Sequence, residues 1–485
     1  MTPLKGVDMN PTPERFRMRR SLLIGALASA GLVGLEPMRT LAAVDLVVAN
    51  VTGLYSTKVS RIETPTSAAQ TAALVSAWTG QVAVGGGRYS MGGQVAVKDG
   101  LHLDMRAMNR LVWFRFEQRC VRVQAGMRWR DLQDIVDPFD LAVKTMQSYG
   151  NFTVGGSVSV NAHGRYVGHG PVGNTVRALQ LVLADGTIVE ANRRDRHELF
   201  RAAIGGYGAV GIITEVELEL ADNVRIERVV RESSLEQYVA QFERSVLGDE
   251  ASVLHNADLL PPEFDRPISV TWHKSTMPLT QTARLVGRGD TYGMQEDVIW
   301  AITELPGAER LQKSIIRPLL NRAPVVKWLN CEASLDVAEV EPRTRAISTY
   351  ALQEYFIPKR NFVSFAKSLA VTLRSHGVEA LNVSIRHSPP DLVSILPWAK
   401  EEVFAFVLFY KQRVYSAARE EVGRWTRELI DLALVHEGRY YLPYQLHATR
   451  EQFQRAYPEV EELRAIKREV DPSAKFSNEL WVKYL

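Results

Sequence analysis

Along the chain the spacing of apolar and polar positions changes period several times, and each change marks an element. Residues 68–78 carry apolar side chains at helical spacing behind Thr66 and Ser67, which predicts a helix started by a hydroxyl cap. Val82-Ala83-Val84 is a short apolar run of buried-strand type, and 95–103 reads as another strand. Residues 121–126 alternate like a half-buried strand, 129–136 like a short helix, and 178–183 and 210–220 again like strands. Beyond residue 223 the pattern alternates strands at 268–273, 351–358, 380–387 and 403–410 with helices at 362–376 and 417–436. That order predicts a sheet covered by helices. Residues 298–342, with Trp300, Trp328 and several prolines, settle on neither period.

Three glycine-rich stretches interrupt the first part. The run Val82–Val84 enters Gly85-Gly86-Gly87-Arg88-Tyr89-Ser90-Met91-Gly92-Gly93. Glycines without a Cβ let backbone N–H groups approach an anion, and Arg88 and Ser90 add donors, so this loop suits a phosphate or pyrophosphate. No Gly-Lys-Ser/Thr follows, and no amphipathic helix begins after the last glycine, so it is neither a P-loop nor the usual dinucleotide fingerprint. The second stretch is Gly150-Asn151-Phe152-Thr153-Val154-Gly155-Gly156-Ser157-Val158-Ser159-Val160-Asn161-Ala162-His163-Gly164. The third joins the helical residues 198–204 to Gly205-Gly206-Tyr207-Gly208-Ala209-Val210-Gly211-Ile212-Ile213.

In this order and at these distances, the three stretches resemble the FAD-binding domain of the vanillyl-alcohol-oxidase/p-cresol-methylhydroxylase family. The tail Asp471-Pro472-Ser473-Ala474-Lys475-Phe476-Ser477-Asn478 resembles the family's usual ending, and loop order and tail look most like decaprenylphosphoryl-ribose oxidases and their sugar- and aldonolactone-oxidising relatives. The resemblance implies FAD as cofactor. Gly85, Gly86, Gly87, Arg88, Tyr89 and Ser90 would hold its pyrophosphate. Gly155, Gly156, Ser157, Asn161, His163 and Gly164 would pass along the flavin ring, and Gly211, Ile212 and Ile213 would lie by the adenine end. It also implies an α+β, two-domain flavoprotein: an FAD-binding domain over 44–222, a substrate-capping domain with a helix-covered antiparallel sheet over 223–437, and a return to the FAD domain over 438–485. Across 223–437 the resemblance is thin. Where many members tether FAD through a histidine in the first loop, Tyr89 stands, and the second loop has no cysteine. FAD is therefore expected without a covalent link.

Composition narrows the picture further. In 485 residues, 46% apolar and 23% charged content is that of a soluble globular protein, and a formal net charge of +3 with no long basic run argues against a nucleic-acid partner. Cys120 and Cys331 give neither a disulfide framework nor metal-ligand spacing. Residues 1–43 read as an export signal: Arg15, Arg17, Arg19 and Arg20 make a basic region, Arg19-Arg20-Ser21-Leu22-Leu23 resembles a twin-arginine motif, and the apolar run 21–35 is too short for a comfortable membrane span. A periplasmic or secreted protein is expected, folded around its cofactor before export.

The chemistry expected is oxidation of an alcohol group, on a sugar, polyol, lactone or similar molecule, with electrons passing to oxygen or a redox partner. His163 either faces the flavin and the substrate hydroxyl or only shapes its loop; His169 reads as structural. Asn382, Ser384 and Arg386 share one face of their strand, which is either a substrate wall or a solvated surface. Glu354, among aromatics in Gln353-Glu354-Tyr355-Phe356, is either a general base or a surface carboxylate, and it falls where the ribose-oxidase relatives carry glutamine. Tyr444 stands where those relatives carry lysine. A phenol needs a strongly lowered pKa to accept a proton, so Tyr444 is cast as a donor that orients substrate, and His163 is favoured as the acceptor. Phe404, Phe406 and Leu408 are expected in the core. Two rival readings remain: a hydroxy-acid dehydrogenase, if Arg386 clamps a carboxylate, and a flavin-fold binding protein without turnover.

Overall fold

Helix Ala68–Ala77 begins where its cap demands, with the Ser67 hydroxyl accepting the Gln70 N–H, and the chain then enters the strand Val82–Gly85. This is a computed structural model, and it describes residues 46–289, 324–340, 342 and 344–485. The predicted export segment 1–43 lies outside the described residues, as does most of the unplaced stretch 298–342, of which Val326–Trp328 is a strand and Leu329–Ala333 a short helix. Val82–Gly85 and Arg61–Glu63 flank Leu101–Asp104 in a small parallel sheet.

Two larger antiparallel sheets divide the rest. A six-stranded sheet is built from strands between Leu111 and Asp222, with Ile212–Asp222 paired to three neighbours. An eight-stranded sheet takes strands from Arg225 to Tyr440. The described residues from 46 on belong to one compact unit, but no sheet is shared across Asp222. One expectation is corrected. Residues 95–103 are not one strand, because glycine-bearing turns occupy 92–100 and only Leu101–Asp104 is extended. Within the second glycine stretch, Val154–Ser159 winds into a short helix, since Gly155 and Gly156 leave its packing face free of bulk.

In the eight-stranded sheet the alternation of side chains decides what each face does. Tyr355, Phe404, Phe406 and Leu408 point one way and are fully buried. Helix Phe362–Ser375 covers that face, its Phe362, Phe365, Ala366, Leu369, Ala370 and Leu373 recurring at three- and four-residue spacing. Burying one such phenylalanine stabilises the fold by about 1.5–3 kcal/mol, so this face is committed to the core. Helix Ser416–Val435 packs beside it. The opposite face, carrying Leu352, Glu354, Val407 and Phe409, is left for something else.

The tail returns to the glycine loops. Val82 N–H donates to Lys475 O (2.7 Å) and Ser477 N–H to Val82 O (3.0 Å). Asn478 Nδ2 reaches Tyr207 O, and Gln94 Nε2 donates to both Leu442 O and Tyr444 O at 2.8 Å. These bonds fix residues 442–444 beside the first loop.

Candidate active site

One cavity collects the three glycine stretches and the uncovered face of the eight-stranded sheet. Gly86, Gly87, Arg88, Tyr89 and Ser90 line it, with Gly155, Gly156, Ser157 and His163 from the second stretch and Gly211 and Ile213 from the third. Glu354, Arg386, Val407 and Phe409 line it from the sheet, and Tyr441 and Tyr444 from the returning tail. Gly85, Asn161, Gly164 and Ile212 lie outside the lining. Gly85 packs on His102, where a Cβ would stand 2.7 Å from the ring, and Ile212 is buried in the core beneath the small sheet. Asn161 holds a left-handed turn (φ 48°), donates from Nδ2 to Asp391 Oδ2 at 2.8 Å and accepts the Gly173 N–H. It ties the loop to residues 391–398, and Trp398 Nε1 donates to its carbonyl.

At the first loop, Arg88 is itself held. Its Nη2 donates to Asp104 Oδ2 (3.0 Å) and lies 3.1 Å from His102 Nε2. His102 Nδ1 stands 3.0 Å from the Val95 carbonyl, which only a protonated nitrogen can satisfy, so Nε2 carries the lone pair that accepts from Arg88. Burial, reinforced by the Arg88 charge, pushes His102 down to about 4 and keeps it neutral. Burial acts to raise the Asp104 pKa, but the bonds and charge of Arg106, with Arg88 behind it, hold it low. The Arg88 Nε is buried with no partner, as are the hydroxyls of Ser148 and Thr153, and all three residues line the cavity. Such orphaned donors beside glycine backbone fit the anionic and polar parts of a dinucleotide. Ser157, by contrast, has Gln147 Oε1 and Thr153 O both within reach of its single hydroxyl proton and accepts from Trp129 Nε1. Thr153 and Ser148 were not singled out from the sequence; the Thr-Val-Gly-Gly run marks Thr153, and nothing local marks Ser148.

At the other end, three residues far apart in sequence meet. His163 Nε2 and Glu354 Oε1 are 2.5 Å apart, and Tyr444 OH donates to Glu354 Oε2 at 3.0 Å. His163 is 5% exposed and Glu354 2%, so the pair is out of water. The imidazole sits among Trp398, Phe356 and Tyr441, with ring centroids at 4.9, 5.6 and 6.0 Å. Its Nδ1 is buried without a partner. Burial, and next the Glu354 charge, raise the Tyr444 pKa well above 10, so the phenol stays a donor. Glu354 is thus no surface carboxylate paired to a lysine, and Tyr444 donates to Glu354. Arg386 also reaches the cavity, and its Nε is buried without a partner. The other two members of the polar strand face do not line the cavity: Asn382 donates to Asp258 at 3.1 Å, and Ser384 lies outside the lining. His169 bonds the Lys144 carbonyl, and Phe404, Phe406 and Leu408 are core. Among the described residues no group of histidine, cysteine or carboxylate side chains is arranged to hold a metal ion, and no helix is long and apolar enough to cross a membrane.

Comparison with known proteins bears on this arrangement. The FAD binding domain family matches residues 59–192, which include the first two glycine stretches. L-gulonolactone oxidase of Bos taurus is 24% identical over 403 residues, covering 82% of this chain and 88% of that protein. Alditol oxidase of Streptomyces sp. is 37% identical over 102 residues, 21% of this chain and 24% of that protein. Mitochondrial D-2-hydroxyglutarate dehydrogenase of Rattus norvegicus is 34% identical over 146 residues, 28% and 26% of the two chains. The chain thus carries an FAD-binding domain and is an FAD-dependent oxidoreductase similar to aldonolactone and alditol oxidases.

Proposed function

We propose that the protein oxidises the CH–OH group of a sugar, lactone, polyol or related hydroxylated small molecule, with His163, Glu354 and Tyr444 managing the proton. Bound FAD supplies the acceptor for the hydride that leaves the carbinol carbon. The hydroxyl proton then has to depart as the C=O bond forms, so a base must stand at the site. His163 takes it at Nδ1, and the resulting imidazolium faces the Glu354 carboxylate across the 2.5 Å contact. Tyr444 holds the second carboxylate oxygen in place. Glu354 is then the residue that orients the histidine, as a buried carboxylate orients the imidazole of a hydrolase triad. The observation that carries this reading is the meeting of His163, Glu354 and Tyr444 in the cavity the glycine loops also line. Residues up to 222 with the returning tail form the FAD part and 223–437 the cap. Among the described residues no sheet is shared across Asp222, which supports the first boundary, while Arg439–Tyr440 still pairs with the cap strand Ser348–Pro358, so the return begins after Tyr440.

FAD is held without a covalent link in this reading. Tyr89 stands at the first-loop position, packed on Phe152 at 4.6 Å, and both cysteines are buried away from the cavity. Oxygen or a redox partner takes the electrons. The twin-arginine motif sends the folded holoprotein to the periplasm or beyond; Arg19→Lys with Arg20→Lys would leave it yellow in the cytoplasm, and export of that variant would reject the motif.

A hydroxy-acid dehydrogenase is the second reading. It is favoured by Arg386, which has no ion pair among the described residues and can clamp a carboxylate in the cavity. An anaerobic screen of polyols, lactones, sugars, simple alcohols and 2-hydroxy acids, following flavin absorbance, separates the two. Bleaching by hydroxy acids alone, lost in Arg386→Met, would select the second. No bleaching by any compound would leave a binding protein and reject both.

A further inference from the structure

Where the sheet face lines the cavity, it carries Glu354 and Arg386 at one end and Leu352, Val407, Phe409 and the Tyr350 ring over the rest. Strand Ser348–Pro358 presents Glu354, Leu352 and Tyr350 in turn on that face. Same-face residues are about 7 Å apart along a strand, so Leu352 lies about 7 Å and Tyr350 about 14 Å from the Glu354 row. The neighbouring strand adds Val407 opposite Glu354 and Phe409 opposite Leu352. The Phe409 and Tyr350 rings lean together at 5.6 Å, and the Met91 sulfur closes on the Leu352 amide at 3.2 Å. The polar residue that shares the Leu352–Phe409 row, Asn382, spends its amide on Asp258 and does not line the cavity.

We infer that the substrate is an alcohol carried on an alkyl or aryl body, which lies along Leu352, Val407 and Phe409 while its hydroxyl meets the His163–Glu354 pair. A free polyol in the same place would set several hydroxyls against carbon. Each hydroxyl desolvated without a partner costs roughly 5- to 150-fold in affinity. An alkyl chain instead gains about fourfold for each methylene removed from water. The inference rests on the alcohol-oxidation reading above for the hydroxyl's position, but the apolar wall stands without it.

The test therefore begins with binding rather than turnover. The holoenzyme is titrated with methoxyalkanes from methoxypropane to methoxyoctane, which lack the O–H to be oxidised, and Kd is read from the flavin absorbance shift or by calorimetry. Kd should fall about three- to fivefold per methylene, and xylitol should bind more weakly than methoxyhexane. Leu352→Asn and Phe409→Ala, at unchanged flavin content, should flatten the slope. A Kd independent of chain length in the unaltered enzyme, or xylitol binding tighter than methoxyhexane, overturns the inference whatever the variants do. The parallel alkanols are then tried for anaerobic flavin reduction, where kcat/KM should climb with the same slope. Ethers that bind with the slope while no alcohol bleaches the flavin would keep the apolar site and reject alcohol oxidation. Bleaching by sugars with no ether slope would do the reverse.

Discussion

Replacing Glu354 with glutamine keeps the side chain's shape and removes the charge that faces His163. If His163 becomes an imidazolium in the transition state, the lost partner can be sized from the geometry. The two groups touch at 2.5 Å and both are buried. With charge centres about 4 Å apart and an effective dielectric near 20, the attraction is about 4 kcal/mol, an upper value of roughly 10³ in rate. Glutamine still donates or accepts one hydrogen bond, so Glu354→Gln should slow flavin reduction by about 10²–10³. His163→Ala removes the base itself and should cost about 10²–10⁴. Because the carboxylate acts through the histidine, the double variant should be no slower than the worse single one by more than about tenfold. Tyr444→Phe removes only the 3.0 Å bond to the outer oxygen and should cost about tenfold. The assay is anaerobic stopped-flow reduction with a bleaching substrate, on variants shown to keep their flavin. If the two single losses multiply in the double variant, the residues act separately and the paired-base reasoning is wrong. If Glu354→Gln costs less than threefold while His163→Ala costs a thousandfold, the histidine works without the carboxylate.

Three further outcomes are expected. Acid precipitation should leave the yellow colour in the supernatant, because Tyr89 stands where a tethering histidine would in the first loop and the second loop has no cysteine; a yellow pellet would reject non-covalent FAD. Gly156→Val should lose FAD with secondary structure retained, since even a Cβ there would stand 2.8 Å from the Thr153 hydroxyl inside the cavity, and unchanged FAD affinity by calorimetry would reject the assignment. His102, lowered to about 4 by burial, takes up its proton near 6.5 only when unfolded. Its contribution to stability is complete above pH 6.5 and is lost as the pH falls from 6.5 to about 4, by an amount on the order of 3 kcal/mol. Urea melts of the apoprotein at pH 7.5 and 4.5 should show His102→Gln losing less stability between the two than the unaltered chain, and equal losses would contradict it.

What the sequence by itself determined were the local patterns. Ser67 before an apolar helix, the alternation in 403–410 and the spacing of Phe362 to Leu373 each act within a few residues, and each emerged as an element close to the expected bounds. The glycine stretches were legible for a similar reason, since a backbone that must approach a ligand can tolerate few residue types. Their chemistry was less so. Arg88 reads as a free charge in the sequence, yet Asp104 and His102 hold it, because Leu101–Asp104 pairs beside the strand that leads into the loop. Residues 95–103 read as a strand, but turns run through 92–100, fixed by contacts of Gln94 with a tail about 350 residues away. The site itself belonged wholly to the tertiary structure. His163, Glu354 and Tyr444 were three competing candidates in the sequence, separated by 191 and 90 positions. Hydrogen bonds at that separation leave no periodicity to read. Only the stacking of a sheet face, a glycine loop and a returning tail around one cavity made them a single unit.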